Sequence, residues 1–246
     1  MIHCERLEDG ILQVRLDDPD RRNALGDAAY DALAQAFEAA ADPAIAAVLL
    51  SSSGPVFCAG NNRDEFATHW PQAPHGPVYR FLAALYACPC PVVAAVQGAG
   101  VGIGATMLLH CDAVLMARTA WLCYPFAGLG ITVEGGASAL LPARLGMMRA
   151  TQILLSGRRV PAEEAVGLGL ATGLVDADPL PVALAEARRI ATLRRDVVRA
   201  MKRQLREAQG GGFPERFETE IALIGRCMLA ARAEAGTGAT DASARD

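Results

Sequence analysis

Four glycines at positions 98, 100, 102 and 104 are the residues whose spacing points most directly to chemistry. They follow the largely β-branched segment 91–96 and lead into a helical pattern over residues 105–109. A strand that turns into a helix in this way leaves backbone N–H groups unpaired at the start of the helix. Such N–H groups bind either a phosphate or the negative oxygen that develops on a carbonyl during a reaction.

A nucleotide site is one interpretation of these glycines. The series Gly100-x-Gly102-x-x-Ala105 fits the loose form of the dinucleotide fingerprint, after a strand and before a helix. That fingerprint also needs an acidic residue at the end of the next strand, whereas residues 115–119 read Leu-Met-Ala-Arg-Thr. No Gly-Lys-Ser/Thr follows any glycine run, which excludes a P-loop. Nucleotide binding is the weaker interpretation, and glycines that only allow close helix–strand packing are another.

A second glycine turn ends another extended segment. Residues 56–58 (Val-Phe-Cys) lead into Ala59-Gly60-Asn61-Asn62. Two turns of this kind can each direct one N–H group at the same carbonyl oxygen, which is how an oxyanion hole is built. The pair therefore favours oxyanion stabilisation over phosphate binding.

The elements around these turns alternate between strand and helix before becoming entirely helical. Apolar runs and alternations predict strands over residues 11–16, 45–50, 91–96, 112–116 and 172–175. Periodic apolar residues predict helices over 27–41 and 78–87, after Gly135, from Pro161 and from Leu180 onward. Residues 65–77 lack periodicity and predict a surface loop beside a pocket. The pattern indicates an α/β fold with a C-terminal helical region.

Composition excludes several classes of protein. The 246 residues are 52% hydrophobic and 20% charged with a net charge of -4, so no nucleic-acid surface is expected. Residues 89–109 carry no charge, but prolines, Gln97 and four glycines favour a buried strand and helix over a membrane span. Neither the seven cysteines nor the His, Asp and Glu spacing predicts a metal site. Without a signal-peptide layout, we expect reduced cysteines and a cytoplasmic location.

Several spaced motifs together resemble the crotonase, or enoyl-CoA hydratase/isomerase, superfamily. They occur in the family's order over nearly the whole chain: Arg22-Asn-Ala-Leu25, Phe57-Cys-Ala-Gly-Asn61, Pro91-Val-Val-Ala-Ala-Val-Gln-Gly98, Cys111-Asp112, residues 155–165 and Gly167-Leu-Gly-Leu-Ala171. The resemblance implies a spiral of ββα units. In that fold residues 1–190 form the core that binds acyl-CoA and residues 191–234 form a helical trimerisation region. Residues 235–246 are small and polar and predict a disordered tail.

The resemblance also implies the positions of the site. The two oxyanion N–H groups belong to Asn61 and Ile103, and coenzyme A enters as part of an acyl-CoA substrate rather than as a separate cofactor. Residues 22–24, the Arg22 segment, would meet the phosphates or adenine of CoA. For the side chain of Arg22, a solvated surface charge is an equal alternative. The expected substrate contacts are Arg22, Ala24, Ala59, Asn61, Asn62, Arg63, Asp64, Ile103, Thr106 and Phe126. A homotrimer or a dimer of trimers is expected.

The catalytic acid distinguishes the branches of this family. Hydratases use two glutamates, at positions occupied here by Thr106 and Phe126, and neither of these side chains titrates near neutral pH. An acid follows later, at Glu134, where it resembles the single catalytic glutamate of the Δ3,Δ2-enoyl-CoA isomerases. The sequence therefore predicts an enoyl-CoA isomerase of fatty acid metabolism in which Glu134 moves the proton.

Three alternatives stay open at this point. Glu134 could be an acid that stabilises the dipole of the helix that follows it. The protein could instead be a hydratase or another crotonase-type lyase that uses Asp64 or Glu65. It could also be an acyl-CoA-binding homologue without turnover. For Asp112 and His110 we expect structural roles in the core.

Overall fold

A computed structural model describes residues 1–210 and 212–242 of the chain. Its strands form two sheets. The strands are β1 (Ile2–Arg6), β2 (Ile11–Leu16), β3 (Ala47–Ser52), β4 (Val56–Cys58), β5 (Val92–Val96), β6 (Ala99–Val101), β7 (Ala113–Ala117), β8 (Trp121–Cys123), β9 (Arg159–Pro161) and β10 (Gly173–Val175). The helices are α1 (Asp27–Ala39), α2 (Arg63–His69), α3 (Pro77–Ala87), α4 (Ile103–Thr106), α5 (Ala137–Leu145), α6 (Met147–Ser156), α7 (Ala162–Gly167), α8 (Leu180–Ala191), α9 (Arg195–Ala208) and α10 (Phe213–Ala242).

The larger sheet has the order β1-β2-β3-β5-β7-β10 and is parallel except for the β1–β2 hairpin. β5 is buried along its whole length, as expected for a parallel strand covered on both faces. Helices α1 and α3 lie on one face, where the rings of Phe37 and Phe81 are 6.1 Å apart. On the other face, Ala183 and Ala187 of α8 pack against β3 and β5. The predicted α/β class is confirmed.

The smaller sheet has the order β4-β6-β8-β9 and determines where the glycine turns lie. Strands β4, β6 and β8 are parallel, whereas β9 runs antiparallel to β8. The carboxyl ends of three successive strands therefore meet at one edge of this sheet. Both predicted glycine turns follow strands that end at that edge.

Helix α9 attaches to the core through two long basic side chains. Lys202 is buried, and its Nζ donates to Asp112 Oδ2 and to the carbonyl of Cys90, both at 2.6 Å. Arg199 donates to backbone carbonyls that follow α1, including that of Asp42 at 2.7 Å. The structural role predicted for Asp112 is confirmed by its pairing with Lys202.

The structure differs from the sequence-based expectations in two segments. The loop predicted over residues 65–77 begins with helix α2, because the side chain of Asn62 accepts hydrogen bonds from the first-turn N–H groups of Asp64 and Glu65. Helix α10 continues to Ala242, whereas the sequence predicts a disordered tail from residue 235. Residues 243–246 of that tail lie outside the described residues. Within the described part of the chain, no helix is long and apolar enough to cross a membrane.

Candidate active site

The two glycine turns lie side by side because the last residues of their strands pair, after a shift of register between Val56 and Cys58. Cys58 of β4 pairs with Gly100 of β6 in the parallel ladder. Asn61 follows Cys58 by three residues, and Ile103 follows Gly100 by three residues. The two N–H groups predicted from the sequence therefore leave the same edge of the sheet at equivalent positions.

Two glycines allow the turns to come close together. A Cβ atom at Gly104 would lie 2.5 Å from the carbonyl oxygen of Cys58 and 2.7 Å from its Cβ, so only glycine fits there. A Cβ at Gly60 would lie 3.0 Å from the carbonyl oxygen of Val101, and Gly60 has a φ of 98°. Close packing is thus one function of these glycines, and it lets the backbone of the segment after β6 approach that of the segment after β4.

The N–H groups of Asn61 and Ile103 lie outside the neighbouring backbone ladder. Leu25 forms an isolated parallel bridge with Asn61, in which Leu25 donates to the Gly60 carbonyl and Asn62 donates to the Leu25 carbonyl, both at 2.8 Å. The N–H of Asn61 itself takes no part in that bridge. Ile103 is the first residue of α4, and the first N–H groups of a helix have no acceptor within the helix.

Glu134 is buried beside α4. Glu134 is only 2% exposed, and its Oε1 accepts a 2.6 Å hydrogen bond from Thr106 Oγ1. Its Oε2 is buried and has no hydrogen-bond partner among the described residues. Buried polar atoms are nearly always paired, so an unpaired carboxylate oxygen next to the two turns is unusual.

Burial changes the proton affinity of this carboxyl group. Loss of solvation raises the pKa of Glu134 from 4.5 to about 8, while the hydrogen bond from Thr106 lowers it and the negative charge of Glu220 raises it further. A carboxyl group with a pKa in this range can both accept and return a proton near neutral pH. The contact between Thr106 and Glu134 was not foreseen from the sequence, which indicated Thr106 as a substrate contact in the place of a hydratase glutamate.

The side chain of Glu134 does not cap the helix that follows it. The N-cap residue of α5 is Gly136, and its N–H donates to Glu220 Oε2 at 2.7 Å. Glu220 Oε1 accepts from the N–H of Ser138 at 3.2 Å. The acid at this helix N-terminus is therefore Glu220 of α10, and Glu134 makes its hydrogen bond to α4 instead.

Tyr30 of α1 also contacts the Asn61 turn. The buried hydroxyl of Tyr30 donates to the side-chain carbonyl of Asn61. Burial raises the pKa of Tyr30 strongly, and the negative charge of Glu134 is the next contribution, ahead of Cys58. Helix α1 therefore links the Asn61 turn to the surroundings of Glu134. No spacing motif marks this residue, because the contact joins distant parts of the chain.

The Arg22 segment adjoins the Asn61 turn, as the resemblance implies. Ala59 donates its N–H to the Arg22 carbonyl at 3.0 Å. Asn23 is buried, and its side-chain amide donates to the carbonyls of Ser53 and Val56, both at 2.8 Å. Asn23 thus fixes this segment against β4, while the Arg22 side chain is exposed.

The remaining predicted substrate contacts divide into exposed and buried positions. Arg63 and Asp64 are exposed in the first turn of α2, which Asn62 caps. Phe126 follows β8 and is buried, as is Thr106 on α4. Ala24 lies next to the Leu25 bridge. The structure thus arranges these positions along one edge of the smaller sheet.

The alternative acids Asp64 and Glu65 have other surroundings. Asp64 is exposed on α2. The carboxylate of Glu65 accepts from the N–H of Asp27 at 2.8 Å and from the side-chain amide of Asn62 at 3.2 Å, so both of its oxygens are paired. Of the acids considered from the sequence, Glu134 is the one with an unpaired buried oxygen.

One cluster of metal-ligand side-chain types was not foreseen from the sequence, because its members come from separate helices. Asp27 of α1 and Glu65 and His69 of α2 have ligand-type atoms within 4.8 Å of one another. Asp27 Oδ2 and His69 Nδ1 are 2.8 Å apart. The three side chains are partly or fully exposed and form hydrogen bonds within the cluster and with the start of α1.

Known proteins share this architecture over nearly its whole length. The chain matches the family Enoyl-CoA hydratase/isomerase over residues 6–239. A solved structure titled OdaA from Pseudomonas aeruginosa superimposes with a TM-score of 0.87 at 37% identity, and covers 92% of this chain and 93% of that chain. The protein therefore belongs to the enoyl-CoA hydratase/isomerase family of enzymes and has its crotonase-type fold, a spiral of ββα units with a C-terminal helical region.

Relatives within this family carry names for different reactions. A protein of Rhodobacter capsulatus named probable enoyl-CoA hydratase is 34% identical over 167 residues, which are 67% of this chain and 65% of that protein. A protein of Escherichia coli named 1,2-epoxyphenylacetyl-CoA isomerase is 33% identical over 185 residues, which are 71% of this chain and 70% of that protein. Family membership defines a transformation of acyl-CoA thioesters, and the reaction depends on the acids at the site.

Proposed function

We propose that this protein is an enoyl-CoA isomerase that moves a double bond from C3 to C2 of the acyl chain, with Glu134 as the group that carries the proton. The observation that supports this most strongly is the unpaired Oε2 of Glu134, a buried residue that contacts Thr106 of α4, the helix that begins at Ile103. The other buried glutamate of the described residues, Glu220, has both carboxylate oxygens hydrogen bonded to the start of α5. A single acid with one free oxygen suits an isomerase, which removes a proton and returns it.

The reaction balances with one carboxyl group. In the ionised form, Oε2 of Glu134 takes a proton from C2 of a 3-enoyl-CoA, and the electrons of that C–H bond form a dienolate whose charge lies on the thioester oxygen. The N–H groups of Asn61 and Ile103 donate to that oxygen. The protonated carboxyl then returns the proton to C4, the double bond now lies between C2 and C3, and Glu134 is ionised again.

Each part of the site lowers the barrier by a different amount. An oxyanion-hole donor contributes roughly 3–4 kcal/mol in comparable enzymes. A well-placed general base contributes about 10²–10⁴-fold in rate. The pKa of Glu134, raised to about 8 by burial, suits a group that must gain and lose the same proton in each cycle.

Hydration is disfavoured by the two side chains at the hydratase acid positions. Adding water needs a base for the water and a proton donor for the acyl carbon. Thr106 offers a hydroxyl that already donates to Glu134, and Phe126 offers no polar group. Most of the relatives are named hydratases. The relative from Escherichia coli is named an isomerase, so an isomerase activity is compatible with membership of this family.

The substrate and assembly follow the family. We propose that the CoA group lies along the exposed residues Arg63 and Asp64 and reaches the Arg22 segment, with the acyl chain toward Phe126. We also propose that the protein forms a homotrimer or a dimer of trimers through α9 and α10. In this proposal, the contacts with CoA and with the acyl chain supply the binding energy that brings C2 of the substrate to Glu134.

Product identification tests the reaction. Purified protein is incubated with 3-hexenoyl-CoA and, separately, with 2-hexenoyl-CoA, and the products are separated by chromatography with mass detection. We expect 2-hexenoyl-CoA from the first substrate and little added water in either reaction. Rapid formation of the hydroxyacyl product from 2-hexenoyl-CoA would instead favour a hydratase, and binding of both substrates without conversion would favour a non-catalytic binder.

A further inference from the structure

Helix α5, which begins directly after the Glu134 turn, starts at a residue that cannot cap it. Its N-cap residue is Gly136, which has no side chain to accept the first N–H groups, and no acid lies in its first turn. The cap comes instead from Glu220 of α10. Its Oε2 accepts from Gly136 and its Oε1 from Ser138, although Glu220 is 84 residues away from Gly136 along the chain.

Hydrogen-bond donors face both carboxylate oxygens of Glu220. Ser138 Oγ donates to Glu220 Oε1 at 2.5 Å while it accepts from Arg216 at 3.4 Å, so both oxygens of Glu220 act as acceptors. Burial raises the pKa of Glu220, and the hydrogen bonds from Ser138 and Gly136 and the positive charge of Arg216 oppose that rise. A negative charge at a helix N-terminus is also stabilised by the helix dipole.

The turn between Glu134 and α5 is held from three sides. Gly135 and Gly136 have left-handed φ angles of 68° and 72°, and a Cβ at either position would lie 3.0 Å from its neighbour, Thr106 or Phe213 respectively. His110 Nε2 donates to the Gly135 carbonyl at 2.7 Å. The Gly136 N–H, on the other side of the same turn, is held by Glu220. A displacement of Glu220 would therefore move the backbone next to Glu134.

We propose that Glu220 is a positioning residue for Glu134, an inference that rests on the proposed isomerase function. From α10, Glu220 fixes the turn that carries the proton-transferring carboxyl group of Glu134. The negative charge of Glu220 also acts on Glu134 directly and favours its protonated form. Among the described residues, Glu134 also interacts with the hydroxyl of Thr106 on α4 and with three acids whose pKa values burial raises, so that they stay neutral: Tyr30 on α1, Cys58 at the end of β4 and Tyr124 after β8.

Two substitutions separate the charge of Glu220 from its geometry. Glu220→Gln keeps the length of the side chain but removes the charge and one acceptor, so Glu134 should release its proton at lower pH. Glu220→Asp keeps the charge, but its shorter side chain no longer reaches both Gly136 and Ser138. Small displacements of a catalytic group lower the rate of the chemical step strongly. We therefore expect kcat to fall about tenfold or more in both variants, while KM changes by about twofold or less.

The experiment compares these variants with Glu215→Gln, a substitution at an exposed position of the same helix. Turnover of 3-hexenoyl-CoA gives kcat and KM. Infrared difference spectra of the protein without substrate follow the C=O band of the protonated carboxyl from pH 5 to pH 10, assigned to Glu134 by its loss in Glu134→Gln. We expect Glu220→Gln to lower kcat and to shift the Glu134 midpoint to lower pH, and Glu215→Gln to change neither.

The outcomes distinguish the two proposals. A wild-type kcat in Glu220→Gln would overturn the positioning role of Glu220, and an unchanged infrared midpoint would overturn the direct effect of its charge on Glu134. If wild-type protein does not isomerise 3-hexenoyl-CoA, the proposed function fails, and the infrared titration alone still decides whether Glu220 acts on Glu134. Unfolding midpoints of the three variants, measured in parallel, identify any that lose activity by losing the fold.

Discussion

The substitution Glu134→Gln should make the protein more stable at alkaline pH while it removes the proposed activity. Burial raises the pKa of Glu134 from 4.5 to about 8, so the folded protein holds a proton that the unfolded chain has released between those values. The stability contributed by that proton is complete below pH 4.5 and is lost as the pH rises through about 8. Glutamine resembles the protonated side chain at every pH and avoids this loss.

The size of the effect follows from the two pKa values. At about 1.4 kcal/mol for each pH unit, the wild-type protein should lose about 4 kcal/mol of unfolding free energy through this group between pH 5 and pH 9. Urea unfolding of wild type, Glu134→Gln and the exposed-site control Glu163→Gln, at one protein concentration and both pH values, measures it. We expect the stability difference between Glu134→Gln and wild type to rise by about that amount, with no such rise for Glu163→Gln. Parallel pH dependence in all three proteins would refute the buried, raised-pKa state of Glu134.

Two further substitutions test the surroundings of the carboxyl group and the packing of the turns. Thr106→Val removes the hydrogen bond that lowers the pKa of Glu134, so the rising limb of kcat/KM against pH should move upward by about one pH unit, whereas Thr106→Ser should restore it. An unchanged pH dependence of kcat/KM in Thr106→Val would contradict that contact. Gly104→Ala places a Cβ 2.5 Å from a carbonyl oxygen, so we expect a loss of about 1–3 kcal/mol in unfolding free energy and more than tenfold in kcat. Gly128→Ala, where a Cβ meets nothing within 4 Å, is the control, and equal effects in both alanine variants would argue against the close approach.

The glycine turns were predictable because their causes are local. A β-branched run before closely spaced glycines indicates a buried strand that turns into a helix. The run forms β5, but β6 of the smaller sheet comes between β5 and α4, so the turn into the helix follows β6 rather than the β-branched strand. The second turn, after β4, carries a similar signal. Their adjacency was a hypothesis, and it depends on the pairing of Cys58 with Gly100, which no local pattern encodes.

The immediate surroundings of Glu134 were much less accessible from the sequence. An acid just before two glycines and a helix fits a helix cap as well as a catalytic base. The choice depends on Glu220, which takes the cap from a distant helix and leaves Glu134 to contact Thr106. The hydrogen bond from Tyr30 to Asn61 is another contact between distant segments, which no local pattern in the sequence indicates.

Helix α2 illustrates a local capping signal that competes with a lack of apolar periodicity. Asn62 followed by Asp64 and Glu65 is a cap and an acidic first turn, and these residues begin a helix in the structure. The resemblance to the family had assigned Asn62 and Asp64 to substrate contacts, and the lack of apolar periodicity after them indicated a loop. Capping residues alone would have predicted the start of this helix.

The most direct test of the proposed chemistry is the rate at which Glu134→Gln converts 3-hexenoyl-CoA to 2-hexenoyl-CoA at pH 8, compared with wild type and Glu163→Gln. We expect wild type and Glu163→Gln to isomerise the substrate at similar rates and Glu134→Gln to be slower by about 10²–10⁴-fold, because the variant has no carboxylate to take the C2 proton. Isomerisation by Glu134→Gln at the wild-type rate would contradict the assignment of proton transfer to this residue.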